Sequence, residues 1–575
     1  MIAIEFTNLA GHSSFFRYAG RQGFLSLLVS SYLLNRHGIR TFAPLSTMMK
    51  GNPGRVKASI IRIQPSAFIK NEEIDRTIFA LDEAMRIIEA NNEYCMVSHL
   101  IGEDPGRDAL ENPEKFAAEI APDAGNRSFD ARTGFIMHPT SLEYLLAYYF
   151  PSFVKYKWDP KKLTQWWNGI SRFLEPDFLR TDYIVSGGFT VQNNMIAVPY
   201  LPEYLAEAVY NIKVNKSPGR DMKLKLQEIQ DRIQDAVTMA KELGDDNIPT
   251  SIVGLGAYTS IVTENGTSVN DYEVPVTTGN GFTTALMLMG IRKAASDMKV
   301  DMEKMKAAVV GGAGNIGAVI ASLLCMECKN VKLIGRPEGG IERLKEARHQ
   351  CLKDILEMIQ SELAEGVILE GTKLRGLSKK IYGEVISPLL AGAVTDPGMA
   401  RVIEWLKNGD KMDNDAGSSL DREINSRYGS KENPFIELAT GLDALKDCEI
   451  VAVATNSPNK KMISPKTVKK GAIICCASVP SNLSEAFKDH MDEYFVFDGG
   501  FARMPEGTDI NLPGMPGRNQ TYGCLAETLL LGFDGRNHSF ARGALAARQV
   551  YATMELAEQY GFGLGDFKLG DKLKK

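Results

Sequence analysis

Apolar positions along this chain follow two periods. Lys306–Val310 (KAAVV), Val331–Ile334, Cys448–Ala454 (CEIVAVA), Ala472–Cys476 (AIICC) and Tyr494–Phe497 (YFVF) are short, nearly continuous apolar runs closed by turn formers. That is the pattern of strands buried on both faces of a parallel sheet. Longer stretches space their apolar residues for helices. Ala285–Ala295, Ala318–Met326 and Leu525–Leu531 predict buried helices, and the charged stretch Asp221–Leu243 predicts an amphipathic one. Strand and helix alternate around the strongest runs, so the expected class is α/β with a doubly wound parallel sheet.

The pattern also divides the chain. Residues 1–130 open on a strand-like segment (Ile2–Phe6), pass through the apolar run Gly23–Leu34 and reach a second strand-like run, Val56–Ile63. They predict a small α/β domain of unassigned role, in which Gly11-His12-Ser13-Ser14 reads as a polar turn. Residues 131–300 are mixed α/β, aromatic-rich, and include the glycine-rich run Ile252–Asn265; they form the expected substrate-binding region. Residues 301–500 carry the buried strands of the expected nucleotide domain, with a charged, largely helical insertion at about 342–438. Its polar run Asp413–Ser419 (DNDAGSS) reads as flexible. Residues 501–575 form a last segment that returns to the substrate domain.

Composition narrows the class. With 44% hydrophobic and 24% charged residues over 575 positions, the chain needs neither disorder nor a fibrous repeat to explain it. A net charge of -5 leaves no basic stripe for a nucleic acid. Gly23–Leu34 is shorter than the roughly 20 residues of a membrane span, and the N-terminus lacks the basic start and small-residue cleavage site of an export signal. Eight cysteines fit reduced thiols better than a disulfide framework, so the expected location is cytoplasmic. Cys325 and Cys328 have C-x-x-C spacing inside an apolar helical run and read as small core residues; no metal site is expected.

The clearest chemistry is Gly312-Ala313-Gly314-Asn315-Ile316-Gly317. It follows the strand Lys306–Val310 at once and opens a helix, with a second strand, Val331–Ile334, beyond. Glycines at these positions allow a tight turn, close approach to a pyrophosphate and helix-on-strand packing, while the helix N-terminus attracts phosphate. The expected fold is therefore of Rossmann type. Where a carboxylate after the second strand would hold the ribose of NAD, this chain has Gly335-Arg336, and a guanidinium suits the 2′-phosphate of NADPH. Thr455, after the strand Cys448–Ala454, is expected beside the cofactor. Thr277-Thr278-Gly279-Asn280, before the helix Ala285–Ala295, offers N–H groups and hydroxyls to a cofactor or substrate.

Cys524 differs from the other seven cysteines. It follows the turn-rich Pro513–Asn519 and begins the helical run Leu525–Leu531, where the backbone dipole is expected to favour the thiolate. A buried first-turn cysteine is the alternative reading of this position.

Several motifs stand in one order: His138-Pro139-Thr140-Ser141-Leu142-Glu143, Leu201–Ala206 (LPEYLA), Gly256–Ile261 (GAYTSI) with Glu264-Asn265, TTGN at 277–280, the glycine loop, Tyr522–Glu527 (YGCLAE), and Asn537-His538-Ser539-Phe540. Together, over about residues 133–567, they resemble the cyanobacterial long-chain acyl-acyl-carrier-protein reductases. The resemblance implies NADPH-dependent reduction of a fatty acyl thioester to an aldehyde, with Cys524 carrying the acyl group. It implies acyl carrier protein or coenzyme A as carrier, and peripheral membrane contact stays open.

Within that scheme Asn280, or N–H groups at the start of the Cys524 helix, are candidate oxyanion donors. His538 is a candidate proton donor, although a structural role for it, as for His138, is equally open. The chain departs from the family in its N-terminal segment, in the insertion before Cys448 and around the substrate tunnel, for which Ile252, Leu255, Tyr258, Ile261, Leu286 and Leu288 are candidate linings. Two rival readings remain at this point: an NADP-dependent dehydrogenase of a small hydroxy or keto acid, and a non-catalytic nucleotide-binding regulator.

Overall fold

The computed structural model describes residues 2–6, 12–41, 59–63, 70–116, 127–142, 159–214, 219–336, 340–366 and 372–573, apart from 140, 393, 395, 410–411, 431, 456, 458–461, 479–480, 511, 513–514, 516 and 571. The chain forms two compact units. One joins Met1–Arg127 with Met137–Leu179 and Ile196–Ala236, and the other joins Ser128–Ile136 with Arg180–Met195 and Val237–Lys575. Residues 1–127 thus share a unit with two later segments. Among the described residues no helix is long and apolar enough to cross a membrane.

In the first unit β1 (Ile2–Phe6) and β2 (Ser59–Ile63) pair antiparallel, Ile2 facing Ile63; residues 56–58 of the expected second strand lie outside the described residues. The longer helices are α1 (Ser14–Arg21), α2 (Leu25–His37), α3 (Asn71–Glu89), α4 (Glu93–Leu100), α5 (Pro160–Ser171), α6 (Pro202–Val214) and most of α7 (Arg220–Glu242). Their core is aromatic, with Phe15, Phe16, Phe24, Tyr32 and Trp167 fully buried. Ser13 accepts the N–H of Phe16 and caps α1, which accounts for the polar turn at His12-Ser13.

The second unit holds two large sheets and two small ones near its C-terminal end. The first, of order β4-β5-β3-β6-β7, is built from β3 (Ala131–Met137), β4 (Asp177–Ser186), β5 (Phe189–Ala197), β6 (Thr250–Leu255) and β7 (Val276–Thr277). The short α8 (Tyr258–Val262) follows β6, and α9 (Asn280–Asp297) follows β7. Ile252, Leu255, Tyr258, Leu286 and Leu288 are all buried in this region, and Ile261 partly so.

The second sheet has six parallel strands: β8 (Lys306–Val310), β9 (Asn330–Ile334), β10 (Ile436–Ala439), β11 (Ile450–Val453), β12 (Ile473–Cys476) and β13 (Phe495–Asp498). Their order is β10-β9-β8-β11-β12-β13, the Rossmann order. It reverses direction between β8 and β11, whose C-terminal ends therefore open a crevice for a ligand. α10 (Asn315–Cys325) crosses from β8 to β9. Ala308, Val310, Val451, Val453 and Ile474 all point into one core on one face of the sheet, while their neighbours point to the other.

The insertion departs from expectation in two places. It carries α11 (Gly340–Ala364), α12 (Pro397–Asn408) and α13 (Ala416–Arg427), but its last residues, Ile436–Ala439, are a strand paired with β9. Four residues are too few for their period to separate strand from helix. The polar run Asp413–Ser419, expected to be flexible, instead starts α13. Gly417 sits so close to α11 that a Cβ there would meet the His349 carbonyl at 2.0 Å, and Arg348 pairs with Asp421 at 2.8 Å, both nearly buried. Tertiary packing orders what composition alone reads as loose.

Candidate active site

The phosphate loop begins one residue earlier than its motif. Gly311, with φ of 85°, makes the left-handed turn that the pattern assigned to Gly312. Its amide bonds the Ile334 carbonyl at 2.9 Å, and a Cβ there would meet the Ala454 carbonyl oxygen at 2.4 Å. At Gly317 a Cβ would lie 2.1 Å from the Gly311 carbonyl oxygen, so only glycine lets α10 start this close to β8. Gly314 is the N-cap of α10, leaving the first N–H groups of that helix without intrahelical partners, as anion binding requires. Ala313 lies in the same partly exposed loop and Ile316, also partly exposed, in the first turn of α10.

The loop's neighbours are ordered by bonds of their own. Thr455, at the end of β11, receives support from Ser478 Oγ through its N–H at 3.1 Å, and its own Oγ1 accepts the N–H of Ser457. Arg336 is exposed just beyond β9, and no described residue pairs with it. A cradle that excludes Cβ atoms, an open helix N-terminus and an unengaged guanidinium fit a phosphorylated dinucleotide.

α14 (Gly523–Phe533) begins directly after β15 (Gln520–Tyr522), which pairs with β14 (Phe501–Arg503). Cys524 stands in its first turn, and of the eight cysteines it alone is not fully buried. The dipole expectation fails here. Dense packing around the sulfur desolvates the thiol and pushes it up to about 11, although N–H groups of Ala257, Leu525 and Cys524 itself pull the other way. Glu527, one turn along α14, adds its negative charge to the rise. Loss of hydration outweighs a helix-terminus interaction that is worth only about 0.3–1 kcal/mol when exposed.

The TTGN turn wraps this cysteine. Gly279, at φ of 72°, packs so tightly that a Cβ would come within 2.2 Å of both the Cα and the Cβ of Cys524. Asn280 opens α9, nearly buried, and its carboxamide has no hydrogen-bond partner among the described residues. The Thr278 hydroxyl donates to the Ala541 carbonyl at 2.6 Å. Asn315 is likewise engaged, its Nδ2 donating to the Gly543 carbonyl (3.0 Å) and its Oδ1 accepting the N–H of Leu545 (2.8 Å).

These bonds join motifs far apart in sequence. One strap, Ser539–Leu545, touches Val276 through Ser539 and Phe540, Thr278 through Ala541, Asn265 through Gly543, and the phosphate loop through Asn315. His538, at the head of that strap, is exposed, with its Nε2 3.3 Å from Arg536; no described contact joins it to Cys524. His138 belongs to the first unit, buried, its Nδ1 2.8 Å from the Pro139 carbonyl, and burial lowers it to about 4.

Two residues at the centre escaped sequence reasoning. Ala257 adopts φ 51° and ψ -122°, a strained conformation for a residue with a Cβ. Ser260 Oγ holds its carbonyl at 2.9 Å, and its N–H faces the Cys524 sulfur. Nothing in an alanine's side chain announces this. Glu527 did leave a signal: three residues after Cys524, it shares a face of α14 with it.

No protein-family model matches the chain. Among curated proteins it is similar to the long-chain acyl-[acyl-carrier-protein] reductase of Synechococcus elongatus, 22% identical over 390 residues, which covers 65% of this chain and 83% of that protein. It is also similar to aminotransferase PigE of a Serratia species, 23% identical over 333 residues, 57% of this chain and 29% of that protein. The chain therefore spans less than a third of PigE. Among solved structures it overlaps a hetero-hexameric glutamate dehydrogenase of Thermus thermophilus (10% identity, 75% of this chain and 77% of that one, TM-score 0.26). A shikimate 5-dehydrogenase of Listeria monocytogenes overlaps at 11% identity, 75% of this chain and 99% of that one, with a TM-score of 0.20. The fold assignment rests on the strand order itself.

Proposed function

We propose that the chain is a nucleotide-dependent oxidoreductase and, more finely, an acyl-thioester reductase that uses NADPH and forms an aldehyde through an acyl-enzyme on Cys524. The observation that carries this reading is the setting of Cys524: the one cysteine not fully buried, at a helix start, faced by three N–H groups and wrapped by the Gly279–Asn280 turn. Distant similarity to the Synechococcus reductase supports the same chemistry.

In this reading the Cys524 sulfur attacks the thioester carbonyl carbon and a new C–S bond forms. The bond to the carrier sulfur breaks, and the proton of the Cys524 thiol ends on the departing carrier thiol, so atoms and charge balance. Negative charge develops on the carbonyl oxygen during the attack. The Asn280 carboxamide, which has no partner among the described residues, and the Ala257 N–H, which faces the Cys524 sulfur, are the donors on hand for it. The glycine loop, Thr455 and Arg336 would hold NADPH, which when bound supplies the hydride that reduces the acyl-enzyme. The test is the intact mass of the protein after incubation with a fatty acyl-CoA and no NADPH. One acyl group should appear on the peptide that contains Cys524, and an unlabelled Cys524 would overturn the reading.

A further inference from the structure

Glu527 is a buried carboxylate that the steps above do not use. It is fully enclosed, and its contacts come from three elements. From β7, the Thr277 hydroxyl donates to Oε1. From α9, the N–H of Phe282 donates to Oε2 at 2.6 Å, and those of Gly279 and Gly281 turn toward the same carboxylate. From α15 (Ala547–Gln559), Thr553 lies against the same place, since a Cβ on Gly281 would come within 2.8 Å of Glu527 Oε2 and 3.5 Å of Thr553 Cγ2. On its own helix it faces Cys524.

The geometry has a consequence for Cys524. The turn that Glu527 grips is the one whose Gly279 rests on Cys524 and whose next residue is Asn280. An amide could not replace the carboxylate, because the ring of donors around it needs an acceptor at both oxygens and a carboxamide offers one. Burial pushes the Glu527 carboxyl up to about 7, and the Thr277 hydroxyl with the N–H groups of Phe282, Gly279 and Gly281 limits that rise, so the group is a carboxylate over the alkaline range in which Cys524 titrates.

We propose that Glu527 is a positioning residue: by gripping the first turn of α9 it holds Gly279 on Cys524 and the Asn280 carboxamide at the carbonyl that Cys524 attacks. This inference rests on the acyl-enzyme reading. It also makes a distinctive demand, because the charge of Glu527 works against thiolate formation while its grip favours acylation. Removing the charge should make Cys524 more nucleophilic toward a small reagent and less competent toward a thioester.

The test compares wild type, Glu527→Gln, Glu527→Asp and Thr277→Val in the full-length protein, with dinucleotide binding as the check on folding. Two rates are read: alkylation of Cys524 by iodoacetamide across pH, and single-turnover acylation by a fatty acyl-CoA. For Glu527→Gln the alkylation profile should move to lower pH while acylation falls roughly a hundredfold, the scale of a misplaced reacting group. Glu527→Asp should recover part of the acylation. Thr277→Val removes one bond of the grip and no charge, so it should slow acylation several-fold and leave the alkylation profile in place.

Acylation that is unchanged or faster in Glu527→Gln overturns the proposal. If that variant does not fold, wild-type acylation in Thr277→Val overturns it instead. Should the wild type itself refuse acyl groups, the thioester reading fails. The alkylation arm is read separately from that failure: an unmoved profile in Glu527→Gln shows that the charge of Glu527 does not reach Cys524 and overturns the pairing of the two residues.

Discussion

The glycine loop and the cysteine turn are both helix N-termini held by glycines that admit no Cβ, yet they present opposite electrostatics. At α10 the loop is partly exposed, the first N–H groups have no intrahelical partners, and Arg336 is exposed just beyond β9. At α14 the same kind of terminus is packed under Gly279 and lies one turn from a buried carboxylate, and the thiol is pushed up to about 11. A helix start therefore attracts charge only where water, or a ligand that replaces it, can reach the charged group. Where packing removes hydration, the dipole loses.

The comparison breaks most sharply at the nucleophile. Cys524→Ser should lower aldehyde formation by about a thousandfold or more while dinucleotide binding at the other helix start is retained. Retained turnover would remove the covalent step from the reading. Next in size is a reciprocal pair. Gly279→Ala forces a Cβ into Cys524 and should cost roughly a hundredfold in single-turnover acylation, with dinucleotide affinity unmoved. Gly317→Ala, which forces a Cβ into the Gly311 carbonyl, should weaken dinucleotide binding and spare acylation. Equal losses at both sites from either change would show that the two helix starts are one mechanical unit.

Loss of Arg336 should reduce NADPH affinity by roughly tenfold to a hundredfold and leave NADH nearly unchanged, since one charge-assisted bond to the 2′-phosphate is at stake. Titration of both cofactors by fluorescence checks this. For the thiol, the sign follows from its raised value: the reactive thiolate is the deprotonated form, so a higher pKa means less of it at neutrality. Alkylation of Cys524 should climb about tenfold per pH unit from neutrality and level off only near 11. A plateau below pH 8 would mean that the dipole prevails after all. The smallest effect concerns the acyl chain, for which kcat/KM should rise about three- to fourfold per added methylene until the site is filled. A flat profile over chains of four to sixteen carbons would favour a small polar substrate.

Much of the architecture was legible. Each of the five apolar runs from Lys306 to Phe497 proved to be a strand of the parallel sheet, within a residue or two of its expected ends. What failed was short or polar: Ile436–Ala439 hides a strand inside a helical stretch, and Asp413–Ser419 became a helix start through contact with α11. At the site, motifs named the participants but not their duties. Asn315 and Thr278, expected beside the cofactor, also tie the strap Ser539–Leu545 to the two helix starts. His538 looked like a proton donor and is exposed beside Arg536.

The sequence by itself determined the sheet, the phosphate loop and the placing of Cys524 at a helix start, because periodicity and turn sterics act between residues close along the chain. Tertiary structure decided the rest. The left-handed turn falls at Gly311 because Ile334 and Ala454 crowd it. Ala257 is strained toward Cys524 by bonds to its own loop, and Glu527 grips Thr277 across 250 positions of sequence. The character of the thiol follows from these contacts. Its hydration is set by every atom packed around the sulfur, and those atoms come from segments that only the folded chain brings together.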